Sequence, residues 1–173
     1  EHGNTEYAGL EKTSGGHGHI YHKNLTTGAL QVVDIKTDGT PSATSSSSGG
    51  YGIDVSDDGS LVTFLSASQR VSSFSMGSTT STFQTDLIDG VIGLSQYSSV
   101  YVRDMSVSSG TPITLVNSSK DGVPSDYNGY GSGSVISGNG GFIAFTSGAS
   151  NLVDGVSGGP QVWHRRRPPS VLS

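Results

Sequence analysis

The sequence predicts an all-β chain of repeated antiparallel hairpins, and three observations carry that expectation. The first is an internal repeat: residues 52–66, GIDVSDDGSLVTFLS, return 81 positions later as 133–147, GSVISGNGGFIAFTS, without a gap. The second is the turn inside each copy, Asp58-Gly59 and Asn139-Gly140. An Asx-Gly pair between alternating apolar runs signals a tight hairpin, because both residues tolerate positive φ. The third is composition: serine, threonine and glycine supply 32, 15 and 26 of the 173 residues. Glutamate occurs only at Glu1, Glu6 and Glu11, and lysine only at Lys12, Lys23, Lys36 and Lys120, so the usual surface residues of helices are scarce.

Taken in order, residues 1–18 carry no alternating run and read as an N-terminal loop or the remnant of a preceding repeat. Two short apolar runs, 20–25 (IYHKNL) and 29–35 (ALQVVDI), flank Thr26-Thr27-Gly28 and predict a hairpin of a second kind. Its counterpart is 100–105 (VYVRDM), a turn around Ser109-Gly110, and 112–117 (PITLVN). Each of these hairpins is followed by the same punctuation, Asp38-Gly39-Thr40-Pro41-Ser42 and Asp121-Gly122-Val123-Pro124-Ser125. The unit is therefore a hairpin, a D-G-x-P-S loop and a hairpin.

A third start of the unit stands at 161–166 (QVWHRR), 62 positions after 99–104 (SVYVRD). The shortfall lies in one place: 32 residues separate Ser66 from Ser99, but only 13 separate Ser147 from Gln161. The first full unit thus carries an insertion, 67–98, holding Phe74, Met76, Phe83, Leu87, Ile88, Val91, Ile92 and Leu94, too apolar for a plain linker. Within it 86–94 (DLIDGVIGL) suits either an extra hairpin about Asp89-Gly90 or a short helix, and periodicity does not choose.

Four short strands per unit at this spacing are what a β-propeller blade requires, since one blade cannot bury both of its faces alone. The residues that sharpen this are SDDGSLVTFLS at 56–66 followed by VYVRD at 100–104. They resemble the bacterial TolB-type, WD-repeat-like propeller repeat, an S-x-D-G hairpin, an aromatic residue and a serine, then an apolar-aromatic strand ending in R-D. SGASNLV at 147–153 is similar to the A-x-N-L-V segment of a Ser/Gly-rich secreted branch of that family. The resemblance spans roughly 19–164 and departs from the family at the insertion and at the end, where VWHRRRPPSVLS stands in place of V-x-V-R-D. It implies propeller-type blades over 19–166, with 167–173 a tail or an altered last strand.

The chain then supplies about two and a half blades, an incomplete ring, where a closed propeller needs about four or more. It is expected to be the remainder of a longer propeller or to self-associate as a homo-oligomer. The apolar insertion 67–98 is expected to cover one exposed face or to form the contact between chains, in a two-fold dimer through Val91, Ile92 and Leu94.

The functional classes narrow by chemistry. With 9 basic and 14 acidic residues the net charge is -5, which repels a phosphate backbone and argues against nucleic acid. No apolar run approaches the roughly 20 residues that span a bilayer as a helix, so no membrane span is expected. The absence of cysteine fits a secreted or periplasmic protein as well as a cytosolic one; the resemblance points to the secreted or periplasmic setting. His17, His19 and His22 form an H-x-H-x-x-H run, but no carboxylate or second cluster at matching spacing completes a metal shell. Asp54, Asp57 and Asp58 offer oxygens to calcium without matching a known loop, and read more simply as the start of a hairpin turn.

No cofactor is expected beyond that possible calcium. No Ser, His and Asp set is ordered by a motif, and Gly131-Ser132-Gly133 precedes a strand where a nucleophile elbow needs a helix. A non-enzymatic module that recognises a protein or glycan through its loops is therefore expected. The alternatives are a calcium-stabilised extracellular repeat or a hydrolase on the same scaffold. Tyr51, Tyr127 and Tyr130 sit in polar loops before the repeated strands, suited to stacking on a partner or to capping strand ends.

Overall fold

The computed structural model describes residues 19–36, 38–40, 42, 52–67, 69–75, 78–85, 87–91, 98–107, 113–127, 133–156 and 159–166. Among these the chain is all-β, with no helix. The strands are β1 Tyr21–Lys23, β2 Leu30–Val32, β3 Asp54–Val55, β4 Leu61–Ser66, β5 Gln69–Ser75, β6 Ser78–Gln84, β7 Ser99–Asp104, β8 Ile113–Leu115, β9 Ser134–Ile136, β10 Phe142–Ser147 and β11 Gln161–Arg166. They form an antiparallel pair β1-β2, a four-stranded meander β3-β4-β7-β8, a three-stranded sheet β9-β10-β11 and a separate hairpin β5-β6, and none of these sheets closes on itself.

The sequence repeat is a repeat of hydrogen bonds. In the meander the Ser56 amide donates to Leu61 O and the Gly59 amide to Ser56 O. The same two bonds join Ser137 to Phe142 and Gly140 to Ser137 in the third sheet. Ser56 Oγ and Ser137 Oγ each donate to the Asx side chain two residues on, and each accepts the amide five residues on. Gly59 and Gly140 take φ of 71° and 68°, a left-handed conformation that few other residues adopt cheaply. The loops after β2 and β8 match as closely. Ser42 and Ser125 donate to Asp34 O and Asn117 O, while Gly39 and Gly122 donate to Lys36 O and Ser119 O.

Two apolar interfaces, built from corresponding residues, join the sheets. One gathers Ile20 and Val33 from the first sheet with Val62, Phe64, Leu87, Tyr101 and Ile113 from the second. The other gathers Val100 and Val116 from the second with Ile143, Phe145 and Leu152 from the third, and Trp163 packs against it. Position by position Ile20 answers to Val100, Val33 to Val116, Phe64 to Phe145, Leu87 to Leu152 and Tyr101 to Trp163. Each sheet's later strands thus present one face for the next sheet to cover.

Of segment 86–94 the described residues are 87–91, which hold a turn at Asp89-Gly90 and no helix; the rest lies outside the described residues. A hairpin lies upstream of it, as β5-β6, and among the described residues neither strand pairs with any other. Residues 87–91 form a turn, with Gly90 at φ 76° and the Val91 amide against Ile88 O. The third unit has the same turn, Gly155 at φ 78° and the Val156 amide against Val153 O. D-L-I-D-G-V and N-L-V-D-G-V are thus one element, and Leu87 is a core residue with no exposure. Leu87 follows Ser66 by 21 positions and Leu152 follows Ser147 by 5, so 16 extra residues form the hairpin. Val91 is half-buried beside this turn, while Ile92 and Leu94 lie outside the described residues.

Two outcomes follow. Leu87→Ala and Leu152→Ala should each lower stability by about 2–5 kcal/mol, read as a lower urea midpoint, because each empties the same buried position between two sheets. The Asp58 carboxyl is held down to about 2 from its ordinary 3.8, first by the Ser56 hydroxyl and then by the Ser60 amide and hydroxyl. A depressed carboxyl stabilises the fold above its unfolded value and loses that contribution as pH falls through its folded value. NMR titration should therefore find Asp58 ionised until near pH 2, and Ser56→Ala should raise its midpoint. Asp58→Asn should fold normally, because Asn139 makes the same turn bonds in the third sheet.

Candidate binding face

β4 ends and β7 begins at one edge of the meander, with Ser66 opposite Ser99, and β8 leaves the sheet at that same end. The third sheet is arranged alike, with Ser147 opposite Gln161. This end collects the D-G-x-P-S loops, the inserted hairpin and the loop after β10, while the Asx-Gly turns occupy the opposite end.

The loops at this end are bolted together. Asp126, immediately after the second D-G-x-P-S, accepts the Ser150 amide at 2.9 Å and the Ser150 hydroxyl at 2.6 Å. Asn151 accepts the Asp126 amide at 3.1 Å and donates to Pro124 O at 2.7 Å. Four bonds thus tie the loop entering the third sheet to the loop between its second and third strands. Leu152, next in sequence, is buried beneath them. The S-N-L-V segment holds the loop through its Asn and the core through its Leu.

Tyr127 sits on this clamp. Its carbonyl accepts the Ser125 and Ser147 hydroxyls at 2.9 and 2.8 Å. Its ring lies over Gly148, where an added Cβ would stand 2.8 Å from Cδ1, so only glycine admits the ring. The side chain stays 41% exposed. Tyr127 therefore has an anchored backbone and a ring partly offered to solvent. Tyr51 and Tyr130 lie outside the described residues.

The metal candidates have other work. His19 Nδ1 is 2.9 Å from Asp34 Oδ2, and Asp34 Oδ1 accepts the Ile20 amide. Asp34 has no exposure, and Asn117 repeats its role by accepting the Val100 amide. His22 lies in β1 opposite Gln31, and His17 is outside the described residues. Asp54 accepts the Val55 amide and, from the third sheet, the Ile136 amide. The Asp57 amide donates to Gly138 O, and Asp58 is taken up by its turn. Among the described residues no group of three or more His, Asp or Glu is gathered around a common point.

Sequence reasoning missed two arginines. Arg103 Nη1 donates to Val33 O at 3.1 Å, across to the first sheet. Arg165 Nη1 donates to Val116 O, Ser118 O and Ser118 Oγ, each at 2.7 Å, across to the second. The two occupy one position of the repeat, and so do their acceptors Val33 and Val116. The signal was present in the alignment of VYVR with VWHR, 62 positions apart. Burial lowers the Arg103 pKa while the nearby Asp34 charge opposes that.

No protein-family model matches the chain, and no curated protein matches it.

The clamp has a measurable signature. Asp126→Ala and Asn151→Ala should each cost about 1 kcal/mol. The double variant should cost less than their sum, with a coupling of about 0.5 kcal/mol or more in a double-mutant cycle.

Proposed function

We propose that this chain is a non-catalytic recognition module made of consecutive propeller-type blades, binding a protein or glycan through its loop end. Its setting is a bacterial secreted or envelope protein, and its repeats are of the TolB-like kind. The observation that carries the reading is the four-stranded meander β3-β4-β7-β8, packed on both faces through corresponding residues. This is how blades stack, each covering its neighbour. The setting and the family rest on the sequence resemblance, and function on a shared scaffold is argued from the site.

Recognition is favoured over catalysis by what the polar side chains do. Asp34, Asp54, Asp126, Arg103 and Arg165 bridge strands, loops or sheets. The loop end, by contrast, combines rigid support with variation. The clamp fixes Tyr127, an aromatic ring suited to stacking on a sugar face or filling a protein hot spot. One unit has gained 16 residues at this end as a hairpin that pairs with no other described strand, and insertions of that kind fall on the surface where partners bind.

The outer faces of the first and third sheets await cover of the same sort. Tyr21, in β1, is 49% exposed where its counterpart Tyr101 is enclosed, and Val162 is 77% exposed where Val100 is enclosed. Further blades of a longer polypeptide, or a second copy, would lie against them.

The test is a glycan and protein array probed with the full chain, with Tyr127→Ala, and with a deletion of residues 68–83 that restores the loop length of the third unit. The deletion variant should melt like the parent. Each variant should bind the parent's partner at least 10-fold more weakly. Partner binding unchanged in both variants would refute the assignment of the loop end.

A further inference from the structure

The tripeptide Asn-x-Ser/Thr, the acceptor pattern for N-linked sugars, occurs twice in the sequence, as Asn24-Leu25-Thr26 and as Asn117-Ser118-Ser119. The fold treats the two copies oppositely. Asn117 has no exposure. Its Oδ1 accepts the Val100 amide at 2.9 Å, and Ser118 and Ser119 after it supply acceptors to Arg165. A transferase reaches this carboxamide only if the second sheet opens.

Asn24 lies in the turn that joins β1 to β2, and four backbone groups hold it. Its amide donates to Ala29 O and its carbonyl accepts the Gly28 amide, each at 2.8 Å. Its Oδ1 accepts the Thr26 and Thr27 amides, each at 2.9 Å, the bonding of an Asx turn. Because Oδ1 faces these amides, Nδ2 is directed away from them, and among the described residues no acceptor meets it. Asn24, Leu25, Thr26 and Thr27 are all exposed, Leu25 to 89%. A sugar bonded at Nδ2 therefore displaces neither a hydrogen bond nor a packed side chain. Neighbouring sheets leave such a turn open. In the second sheet, covered on both faces, Asp104 makes the corresponding turn by accepting the Ser106 amide. Asp104 is only half-buried there, and Ser106 and Val107 are exposed. A further blade packed on the first sheet covers its face, not this tip.

We propose that Asn24 is an acceptor site for N-linked glycosylation, taking its sugar from a glycosyl donor activated as a diphosphate. In the transfer, Nδ2 of Asn24 forms a bond to C1 of the sugar and gives up one proton. The bond from C1 to the diphosphate oxygen breaks, and the diphosphate leaves with the electron pair. The turn stands at the Asx-Gly end: His22, two residues before Asn24, lies beside the second sheet's turn, where a Cβ added at Gly59 would be 3.5 Å from its Nε2. Tyr127 is at the other end, so the modification does not depend on what the loop end binds.

The test treats the folded full chain with UDP-glucose and a soluble N-glycosyltransferase that acts on Asn-x-Ser/Thr, and locates the hexose by peptide mass spectrometry. Peptides of residues 20–29 and 113–122 report how well each tripeptide is accepted without the fold. Both peptides should be modified. In the full chain Asn24 should be modified within about 3-fold of the rate of its peptide, and Asn117 at least 10-fold more slowly than its own. Asn24→Gln and Thr26→Ala should each lose the hexose at this turn, and the modified chain should melt with the parent. An unmodified Asn24 in the full chain, or in its peptide, would overturn the proposal. So would Asn117 modified as fast in the chain as in its peptide, or a modified chain that melts well below the parent.

Discussion

Each of the three repeated sheets depends on having a neighbour to cover the face it cannot cover itself. The strands are two to seven residues long, and a sheet of four such strands has two faces and very little depth. The chain meets this constraint by using one interface twice. Ile20 and Val33 receive Phe64, Leu87 and Tyr101; Val100 and Val116 receive Phe145, Leu152 and Trp163. The arginines finish each interface. Val33 O and Val116 O stand where a strand ends and its ladder stops, and a carbonyl buried there without a donor would cost free energy. Arg103 supplies the donor to Val33 O, and Arg165 adds a second donor to Val116 O beside the Ser118 amide, so a cation of one sheet helps satisfy the sheet before it.

The extent to which the sequence displayed this varies with the range of the interaction. The S-x-D-G and S-x-N-G hairpins were legible because their bonds close within five residues, and local chemistry alone sets φ at Gly59 and Gly140. The D-G-x-P-S loops were legible as a repeated pattern, though not as the scaffold that Asp126 and Asn151 complete. That clamp joins residues 25 apart, and no local signal marks it. Leu87 was visible as an apolar residue but not as the partner of Leu152, because a hairpin interrupts the element to which both belong. Arg165 was obscured by its neighbours: in VWHRRR only alignment with VYVR shows which arginine faces inward. The aspartates near 54–58 looked like a cluster because they are close in sequence. In three dimensions Asp54 turns to the third sheet, and Asp58 turns back on its own hairpin.

The two ends of the sheets divide their labour along the same lines. The Asx-Gly end is closed by side chains that bond their own turns, leaving little polar capacity unspent. The loop end is held from beneath, through Asn151 to Pro124 O and Ser147 to Tyr127 O, which frees the upper surface to differ between units. An inserted hairpin is tolerated there because loop closure costs little for each added residue. Leu87 still reaches its place in the core, so the insertion lengthens the loop without displacing the interface below it.

Native-state amide hydrogen exchange on the intact chain tests the central claim most directly, because it reports opening strand by strand. If shared faces hold the molecule together, β4 and β7, covered on both sides, exchange most slowly. β1, β2 and β9–β11, each covered on one side, should follow, and β5 and β6 should exchange fastest. Slow exchange in β5 and β6 comparable to β4, or terminal sheets that outlast the central one, would contradict the account.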